Sequence, residues 1–346
     1  MIRDAIKKVV EGLNLSEDEA AFCMQEIMSG EATPSQVASL ITALRMKGET
    51  VEEITGFAKV MRKMSIKIPT KHNPSSMIDT CGTGGDHSNT FNISTAAAFI
   101  VAGAGVPVAK HGNRAMSSKC GSADVLEALG VDITLSAEAV GQCLDEVGIG
   151  FMFAPSHHPS MKHAIIPRKE IGIRTAFNIL GPLTNPADAK KQLLGVSEAR
   201  LTELMAAALL RLGSNRAIVA HGLDGIDELT TVKKTQITEI KDGGLATYQI
   251  SPEEMGIPAA LKDDIEISGG AEESARVITS ILNGEQGPRR NIVLLNAGAA
   301  LYVAEKASTL KGGIAKAAET IDNGQARDVL NGLVKLSQRL GEIDIR

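Results

Sequence analysis

Residues 1–68 carry apolar side chains at the spacing of one helix face. Three stretches also carry capping boxes, in which a Ser or Thr and a Glu or Gln three residues later satisfy free N–H groups at a helix start. The apolar positions are Phe22, Ile27, Leu40, Ile41, Leu44, Ile54, Phe57 and Met61, and the capping pairs are Ser16–Glu19, Thr33–Gln36 and Thr50–Glu53. We expect four helices that form a first domain over residues 1–70.

From residue 75 onward, continuous apolar runs alternate with helical periodicity. This alternation is typical of a mostly parallel sheet with helices on both faces, so we expect an α/β domain over residues 75–346. A short antiparallel pair is predicted at 235–240 and 247–250, and the chain is predicted to be helical again from Ala297. Strands are predicted at 77–79, 106–109, 149–153, 192–196, 217–220 and 292–295, and helices at 95–104, 122–129, 137–147, 198–212 and 271–283.

A basic segment with four prolines, at about residues 160–190, interrupts this alternation. Its charged side chains include Arg168 and Arg174. Such a segment in the middle of an α/β domain indicates that the chain crosses back to the helical domain. Clefts between domains are common substrate sites, so we expect residues of this crossing to contact a substrate.

The composition excludes several classes of protein. The net charge of −5 gives none of the basic field expected of a nucleic-acid-binding protein. The four cysteines lie far apart in the sequence, which argues against a zinc site or a disulfide scaffold and fits the reducing cytoplasm. No N-terminal signal peptide is evident, and no apolar run approaches the roughly 20 residues that span a membrane. We expect a soluble cytoplasmic protein without nucleic-acid or membrane partners.

A glycine-rich turn follows the first predicted strand, at residues 82–86. It lacks both the spacing of a dinucleotide fingerprint and the Lys-Ser/Thr of a phosphate-binding P-loop. A tight turn without a ligand would use the same residues. Because Ser94 follows at a predicted helix start, the backbone N–H groups favour an anion site. The hydroxyl and amide groups expected to converge there are those of Thr83, Thr90, Asn92, Ser94 and Thr95.

A second polar loop, at residues 110–114, follows the next predicted strand. Open α/β sheets bind ligands at the carboxyl ends of their strands, so both loops should face the same ligand. Lys110 would supply a charge, Gly112 close backbone approach and Asn113 an amide, with Ser117, Ser118 and Ser122 as further donors. The alternative is a solvated basic loop. Together the two loops predict a ligand with more than one phosphate.

An acidic loop follows the strand predicted at 217–220. Asp224, Asp227 and Glu228 repel one another unless a cation lies nearby, and hard oxygen ligands facing phosphates suit Mg²⁺. The alternative is an acidic cluster at a helix N-terminus, which the helix dipole also favours. The sequence contains no Gly-x-Ser-x-Gly or Ser-Lys nucleophile motif. We therefore expect transfer at a centre that already carries a good leaving group.

Five motifs taken together resemble the anthranilate phosphoribosyltransferase family over essentially the whole chain. They are GTGGD at 82–86, FNIST at 91–95, KHGNRAMSSKCGSADVLEALG at 110–130, RKEIGIRTAFNILGPLTNP at 168–186 and HGLDGIDELT at 221–230. The resemblance implies transfer of the 5-phosphoribosyl group of PRPP to the amine of anthranilate, with release of pyrophosphate, in tryptophan biosynthesis. It implies a small helical domain and a large α/β domain, two Mg²⁺ ions, and a homodimer through the helical domain.

The resemblance also implies a role for each matching residue. Arg168 would hold the anthranilate carboxylate, Lys110 would stabilise the departing charge, and His111 would either accept a proton late in the reaction or be an ordinary loop histidine. Gly82, Asn113 and Arg168 would contact anthranilate, and Ser94, Asp227 and Glu228 would hold the metal. PRPP would be bound by Gly82, Gly85, Asp86, Thr90, Asn92, Ile93, Ser94, Thr95, Lys110, His111, Gly112, Asn113, Arg114, Ala115, Met116, Ser117, Ser118 and Ser122.

Two alternatives stay open at the level of sequence. A pyrimidine nucleoside phosphorylase of the same fold would bind phosphate and a nucleoside and would not need the Asp227–Glu228 pair. A non-enzymatic homologue that binds nucleic acid should show a basic face and altered metal or anthranilate positions, which the net charge and the intact motifs oppose.

Overall fold

The computed structural model describes residues 1–86, 88–115 and 120–344. It contains the four predicted N-terminal helices, and three of them begin where the sequence predicts. Ser16, Thr33 and Thr50 each accept a hydrogen bond from the backbone N–H three residues later, and all three capping boxes form. The predicted apolar positions are buried, except for Phe22, whose side chain faces solvent. The helices are α1 (Ile2–Val10), α2 (Glu17–Ser29), α3 (Pro34–Lys47) and α4 (Val51–Met64).

A single seven-stranded sheet forms the centre of the α/β part. The strand order is β3-β2-β1-β4-β5-β6-β7, with the first five strands parallel and the last two antiparallel, as predicted. The strands are β1 (Ile78–Gly82), β2 (Val108–Gly112), β3 (Ile149–Phe153), β4 (Lys191–Gly195), β5 (Arg216–Gly222), β6 (Thr235–Lys241) and β7 (Gly244–Ile250).

Helices cover both faces of this sheet, because alternate strand residues enter different cores. Leu193 and Ile218 pack with the C-terminal helices, whereas Leu194 and Val219 pack with the N-terminal helices. The remaining helices are α5 (Ile93–Gly103), α6 (Ser122–Ala128), α7 (Ala137–Val147), α8 (Ala154–His157), α9 (Lys162–Ile171), α10 (Phe177–Leu180), α11 (Leu201–Arg211), α12 (Lys262–Ile265), α13 (Ala271–Leu282), α14 (Pro288–Val303), α15 (Leu310–Asp322) and α16 (Gln325–Asp344).

The strand predicted at 292–295 is wrong, since these residues lie within α14. Every residue from Ile292 to Val303 is buried, so this helix is enclosed on all sides. A helix buried all round shows a continuous apolar run, which periodicity alone cannot distinguish from a buried strand. Pro288 at the first turn, where proline is favoured, was the available signal for a helix.

The ends of β1 and β2 also differ from prediction. Both strands extend into the motifs that were expected to form loops, so that Gly82 ends β1 and Lys110, His111 and Gly112 are the last residues of β2. Backbone pairing with β3 continues as far as Gly112. A lysine inside a buried strand is unfavourable unless it is paired, and the sequence alone did not reveal the partners of Lys110.

The crossing segment packs against the N-terminal helices. Helix α9 lies against α3 and α2. Arg62 on α4 donates to the carbonyl oxygens of Leu183 (2.6 Å) and Leu212 (3.1 Å). These contacts tie α4 to the segment that leads into β4 and to the end of α11. Within the described part of the chain, no helix combines the length and apolar character needed to cross a membrane.

Candidate active site

The strand order reverses beside β1, since β2 and β3 lie on one side of it and β4 and β5 on the other. Such switch points are the usual ligand sites of open α/β sheets. Here Gly82 and Gly195 face each other at the carboxyl ends of β1 and β4. A Cβ on Gly82 would lie 2.5 Å from Asp227 Oδ2, and one on Gly195 would overlap the carbonyl oxygen of Asp227. Two glycines therefore make room for Asp227, and Gly195 had not been predicted to belong to the site.

Three carboxylates, two from the predicted acidic loop and one from the glycine loop, converge at this point. Asp227 Oδ2 accepts the N–H of Gly84 (2.7 Å), and Asp86 Oδ2 accepts the N–H of Asp227 (3.4 Å). Burial and then the charge of Asp86 raise the pKa of Asp227 to about 8. Burial and then Asp227 raise the pKa of Glu228 well above its usual value, although Glu228 accepts the N–H of Ser94. Burial and mutual repulsion therefore disfavour the ionised forms of both Asp227 and Glu228.

These oxygen donors fit Mg²⁺. Among the residues described, no three His, Cys, Asp or Glu side chains are arranged to enclose a metal by themselves. Mg²⁺ usually takes one or two protein carboxylates and completes its shell with water and substrate phosphates, which is the arrangement that a pair of half-buried carboxylates beside a glycine loop allows. Asp227 and Glu228 are the residues that would hold it, with the hydroxyl of Ser94 nearby.

Lys110 joins the two predicted loops. Its ammonium group donates to the carbonyl oxygen of Thr80 and to Ser94 Oγ (3.3 Å). The side chain is 1 % exposed. Burial lowers its pKa, while the negative charges of Asp79 and Glu228 act in the opposite direction. The structure therefore places one buried cation between the start of α5 and the acidic cluster.

At the start of α5, two of the predicted contact residues have buried side chains. Asn92 is the N-cap, and its Oδ1 accepts the N–H of Thr95 (3.1 Å) and the hydroxyl of Ser94 (3.4 Å). Ile93 and Thr95 are buried in the core. Thr90 lies before the helix, where its hydroxyl shares a hydrogen bond with Ser88 (3.2 Å). Any contact of Ile93 or Thr95 with an anion would therefore run through the backbone.

The second predicted loop is fixed from below by α6. Arg114 pairs with Asp124 (3.0 Å) and Glu127 (2.7 Å), while Ala115 donates its N–H to Asp124 (2.9 Å). The guanidinium of Arg114 is thus held by carboxylates of α6 and shapes the loop. Ser122 Oγ occupies the space that a Cβ on Gly112 would need. Asn113 is exposed, and the predicted contacts Met116, Ser117 and Ser118 lie outside the described residues.

His111 belongs to a buried group of histidines between the two domains. Its ring lies 5.1 Å from that of His158, and His157 lies nearby. Burial and the neighbouring histidines lower the pKa of His111 well below its usual value, so its imidazole is neutral near pH 7. Its Nε2 has no hydrogen-bond partner among the residues described. The same burial disfavours the protonated ring, so the late-acceptor role of His111 stays a prediction.

His158 should make the protein sensitive to acid. Burial, followed by the charge of His157, lowers its pKa to about 4. Below pH 6.5 the unfolded chain binds a proton that the folded chain does not, so stability falls as the pH falls. His158→Asn keeps a polar group beside the backbone of Thr184 and should remove roughly 2 kcal/mol of the stability lost between pH 7 and pH 5. Urea unfolding of both proteins at the two pH values tests this, and equal losses would contradict it.

Arg168 stands on α9, in the crossing segment. Its guanidinium lies over the ring of Phe177, 5.2 Å from the ring centre. Burial lowers its pKa, and in the described ranges no carboxylate lies within ion-pair distance of it. A half-buried arginine that packs against an aromatic ring is suited to bind the carboxylate of a ligand.

Two further residues support the site from below and were missed in the sequence. Asn185 Nδ2 donates to Asp79 Oδ2 (2.8 Å) and to the carbonyl oxygen of Ala109 (2.8 Å), while Asp79 Oδ1 accepts the N–H of His111 (3.2 Å). Burial raises the pKa of Asp79 to about 6. The sequence did carry one signal for this pair, because Asp79 lies within a predicted buried strand and a carboxylate there needs a partner. The pair fixes the crossing segment to β1 and β2 directly behind Lys110.

Comparison with known proteins shows the family of the chain. Residues 3–65 match the helical bundle domain of the glycosyl transferase family, and residues 74–327 match the a/b domain of that family. The chain is 56% identical to the anthranilate phosphoribosyltransferase of Acetivibrio thermocellus over 337 residues, which is 97% of each chain. The chain belongs to the anthranilate phosphoribosyltransferase family.

Solved structures of this family share the fold. The anthranilate phosphoribosyltransferase of Thermus thermophilus has a TM-score of 0.91 and 42% identity, covering 97% of this chain and 99% of that one. The Saccharomyces cerevisiae enzyme in complex with PRPP and Mg has a TM-score of 0.89 and 28% identity, covering 98% of both chains. Another structure of the yeast enzyme, at 27% identity and a TM-score of 0.86 with 98% of both chains covered, contains 4-fluoroanthranilate.

Proposed function

We propose that this chain transfers the 5-phosphoribosyl group of PRPP to the amine of anthranilate, giving N-(5-phosphoribosyl)anthranilate and pyrophosphate in tryptophan biosynthesis. The observation that carries the proposal is the meeting of Lys110, Ser94, Asp227 and Glu228 at the switch point of the sheet. One side of this cluster offers backbone donors for phosphates and the other offers carboxylates for Mg²⁺. The relatives described above carry the same activity in their names.

The chain's own residues would stabilise the charge of the departing pyrophosphate and hold the two substrates in position. Mg²⁺, when bound, neutralises the pyrophosphate that leaves. Lys110 would stabilise the same charge from a fixed, water-poor position, where an electrostatic contact is stronger than in water. The aryl amine of anthranilate is unprotonated at neutral pH, so holding the two substrates in line is a large part of the catalysis. The neutral His111 would receive the proton that the amine loses.

The PRPP site would extend over both motifs. The N–H groups of the glycine loop and of the start of α5 would bind phosphate, and the loop at 110–115 would cover it, with Gly82 and Asn113 also contacting anthranilate. Two Mg²⁺ ions would bind, held by Asp227 and Glu228, with Ser94 completing the metal site. Equilibrium dialysis with Mn²⁺ as a probe, with and without PRPP, would count the ions.

Arg168 would bind the carboxylate of anthranilate. Arg168→Ala removes a charge-assisted contact worth roughly 1.5–3 kcal/mol, so we expect the KM for anthranilate to rise about 10- to 100-fold while the KM for PRPP changes little. Steady-state kinetics with each substrate varied in turn measure both constants. Arg200, which pairs with Glu198 at the surface, offers a matched control in Arg200→Ala. An unchanged KM for anthranilate would place its carboxylate elsewhere.

The decisive assay is the loss of anthranilate fluorescence on addition of PRPP and Mg²⁺. Turnover that requires all three components supports the proposal. Phosphorolysis of thymidine or uridine without Mg²⁺ would instead identify a pyrimidine nucleoside phosphorylase. Salt-sensitive DNA binding without PRPP turnover would indicate a nucleic-acid-binding homologue.

We also infer a homodimer formed through the helical domain. Helix α3 contacts both α1 and α9, and these three helices expose large apolar side chains, namely Val10, Met46, Ile165 and Ile166. Large apolar side chains exposed on neighbouring helices are a feature of interaction sites. Light scattering should give twice the chain mass, and Ile166→Asp should reduce it to that of one chain. A wild-type mass equal to one chain would refute the dimer.

A cytoplasmic location is the last part of the proposal. None of the four cysteines, all of which lie in the described residues, forms a disulfide, and three of them are buried. Reduced thiols persist in the cytoplasm, which supports this location.

A further inference from the structure

Arg174 lies on the short link between α9, which carries Arg168, and α10. Gly172 ends α9 with a left-handed φ of +64°, and its N–H donates to the carbonyl oxygen of Arg168 (3.3 Å). Thr175 is held as well, because its N–H donates to Asn178 Oδ1 (2.9 Å) at the start of α10. The backbone around Arg174 is therefore fixed on both sides.

The side chain of Arg174 reaches the glycine loop. Its Nη2 donates to the carbonyl oxygen of Gly84 (2.9 Å) and to Ser197 Oγ (3.4 Å). Its Nη1 lies against Gly85, in the space that an added Cβ would need. Gly85 has a φ of +78° in addition, so both its conformation and its space require glycine. The guanidinium therefore packs against the loop whose N–H groups would face the phosphates.

The contacts of Ser197 continue this link into the sheet. Ser197 donates its N–H to Thr83 Oγ1 (3.2 Å), and Thr83 donates its N–H to the carbonyl oxygen of Gly195 (2.9 Å). Gly84 in turn donates its N–H to Asp227 (2.7 Å). The loop at 82–85 is thus held by β4, by the acidic cluster and by the crossing segment, and Arg174 is the contact that comes from the crossing segment.

Arg174 forms no ion pair with the residues that the structure describes. Across residues 1–86, 88–115 and 120–344, no carboxylate lies within ion-pair distance of it, and Nη1 has no hydrogen-bond acceptor. A half-buried guanidinium that meets only a carbonyl and a hydroxyl keeps donors available for an anion. It lies on the loop that would receive the pyrophosphate of PRPP.

We propose that Arg174 is a positioning residue that holds the glycine loop in its phosphate-binding form and links it to the Arg168 segment, so that PRPP and anthranilate strengthen each other's binding. This rests on the proposed function. Binding of PRPP fixes the loop and, through Arg174, the segment next to Arg168. Because coupling between two ligands is reciprocal, anthranilate must then raise the affinity for PRPP by the same factor.

The test is initial-rate kinetics over a grid of PRPP and anthranilate concentrations with Arg174→Gln, Arg174→Lys and the control Arg200→Gln. The grid yields the KM of each substrate and the factor by which one substrate changes the affinity for the other. For Arg174→Gln we expect the KM for PRPP to rise about 10- to 100-fold and the coupling factor to fall to about one. Lysine restores the charge, but it cannot form the two hydrogen bonds of the planar guanidinium. The KM of Arg174→Lys for PRPP should therefore stay several-fold above that of the wild type.

The outcomes separate this role from a structural one and from failure of the proposed function. If Arg174→Gln lowers the melting temperature but leaves both KM values and the coupling factor unchanged, Arg174 is structural and the inference is overturned. If Arg174→Lys has wild-type kinetics, the planar guanidinium of Arg174 is not required and that part of the inference is overturned. Absence of wild-type turnover with PRPP and anthranilate would refute the proposed function itself, before any variant is compared.

Discussion

The double variant Asp227→Asn, Glu228→Gln is expected to lose Mg²⁺-dependent turnover and to be more stable than the wild type without Mg²⁺. Turnover is lost because these are the carboxylates that would hold the metal. Stability rises because burial and mutual repulsion disfavour their ionised forms, which raises the pKa of Asp227 to about 8 and that of Glu228 well above normal. One pKa unit corresponds to about 1.4 kcal/mol, so relief of one to two units stabilises the variant by roughly 1.4–3 kcal/mol.

The stability difference between the amide variant and the wild type should depend on pH. Above about pH 4 the unfolded chain loses protons that the folded chain retains on these carboxyl groups, so the stability of the wild type without metal falls as the pH rises toward 8. The amide variant should lack that fall. Urea unfolding with EDTA at pH 5 and pH 8 measures the fall in stability of each protein. Asp242→Asn, on the exposed β6–β7 turn, is the control. Near-normal turnover would contradict the metal assignment, and a variant less stable than wild type at pH 8 would contradict the raised pKa values of the pair.

Local sequence signals predicted the helices and most strands well, because their causes lie close together in the chain. A capping box needs residues three positions apart, and each of the three pairs formed as predicted. The same holds for β3 and α7, whose bounds match the prediction. The strand predicted at 292–295 failed because enclosure by other helices is a tertiary property, and it erases the polar face by which an amphipathic helix is recognised.

The site was predictable in its motifs but not in its connections. That Lys110 is buried depends on Thr80 and Ser94, which lie 30 and 16 residues earlier in the chain. Gly195 accommodates Asp227, a residue far along the chain, so no local pattern marks it as part of the site. Arg174 and Asn185 looked like ordinary members of a basic, proline-rich segment. Their roles follow from contacts with the glycine loop and with Asp79.

Replacement of Lys110 by Gln should lower kcat/KM by about 10²–10³, the usual effect of removing one fixed donor from a developing negative charge. Lys191→Gln is a matched control, because Lys191 is also a buried lysine of the parallel sheet and pairs with Glu305 at 2.5 Å. It begins β4, whereas the site lies beyond the carboxyl end of that strand. The control should reduce stability without changing kcat/KM. An equal loss of activity in both variants would mean that Lys110 acts through the fold alone.

Stability measured without Mg²⁺ should change in opposite directions at Lys110 and at the acidic pair. Lys110→Gln removes the cation that opposes the raised pKa of Glu228, although it leaves an amide that is able to donate to the Thr80 carbonyl. The variant should therefore be less stable than the wild type at pH 8. Once Asp227→Asn and Glu228→Gln are also present, the penalty for losing Lys110 should shrink, because the charges it opposes are gone. Unfolding of all four proteins completes the cycle, and a penalty independent of the carboxylates would show that Lys110 and the acidic pair do not interact.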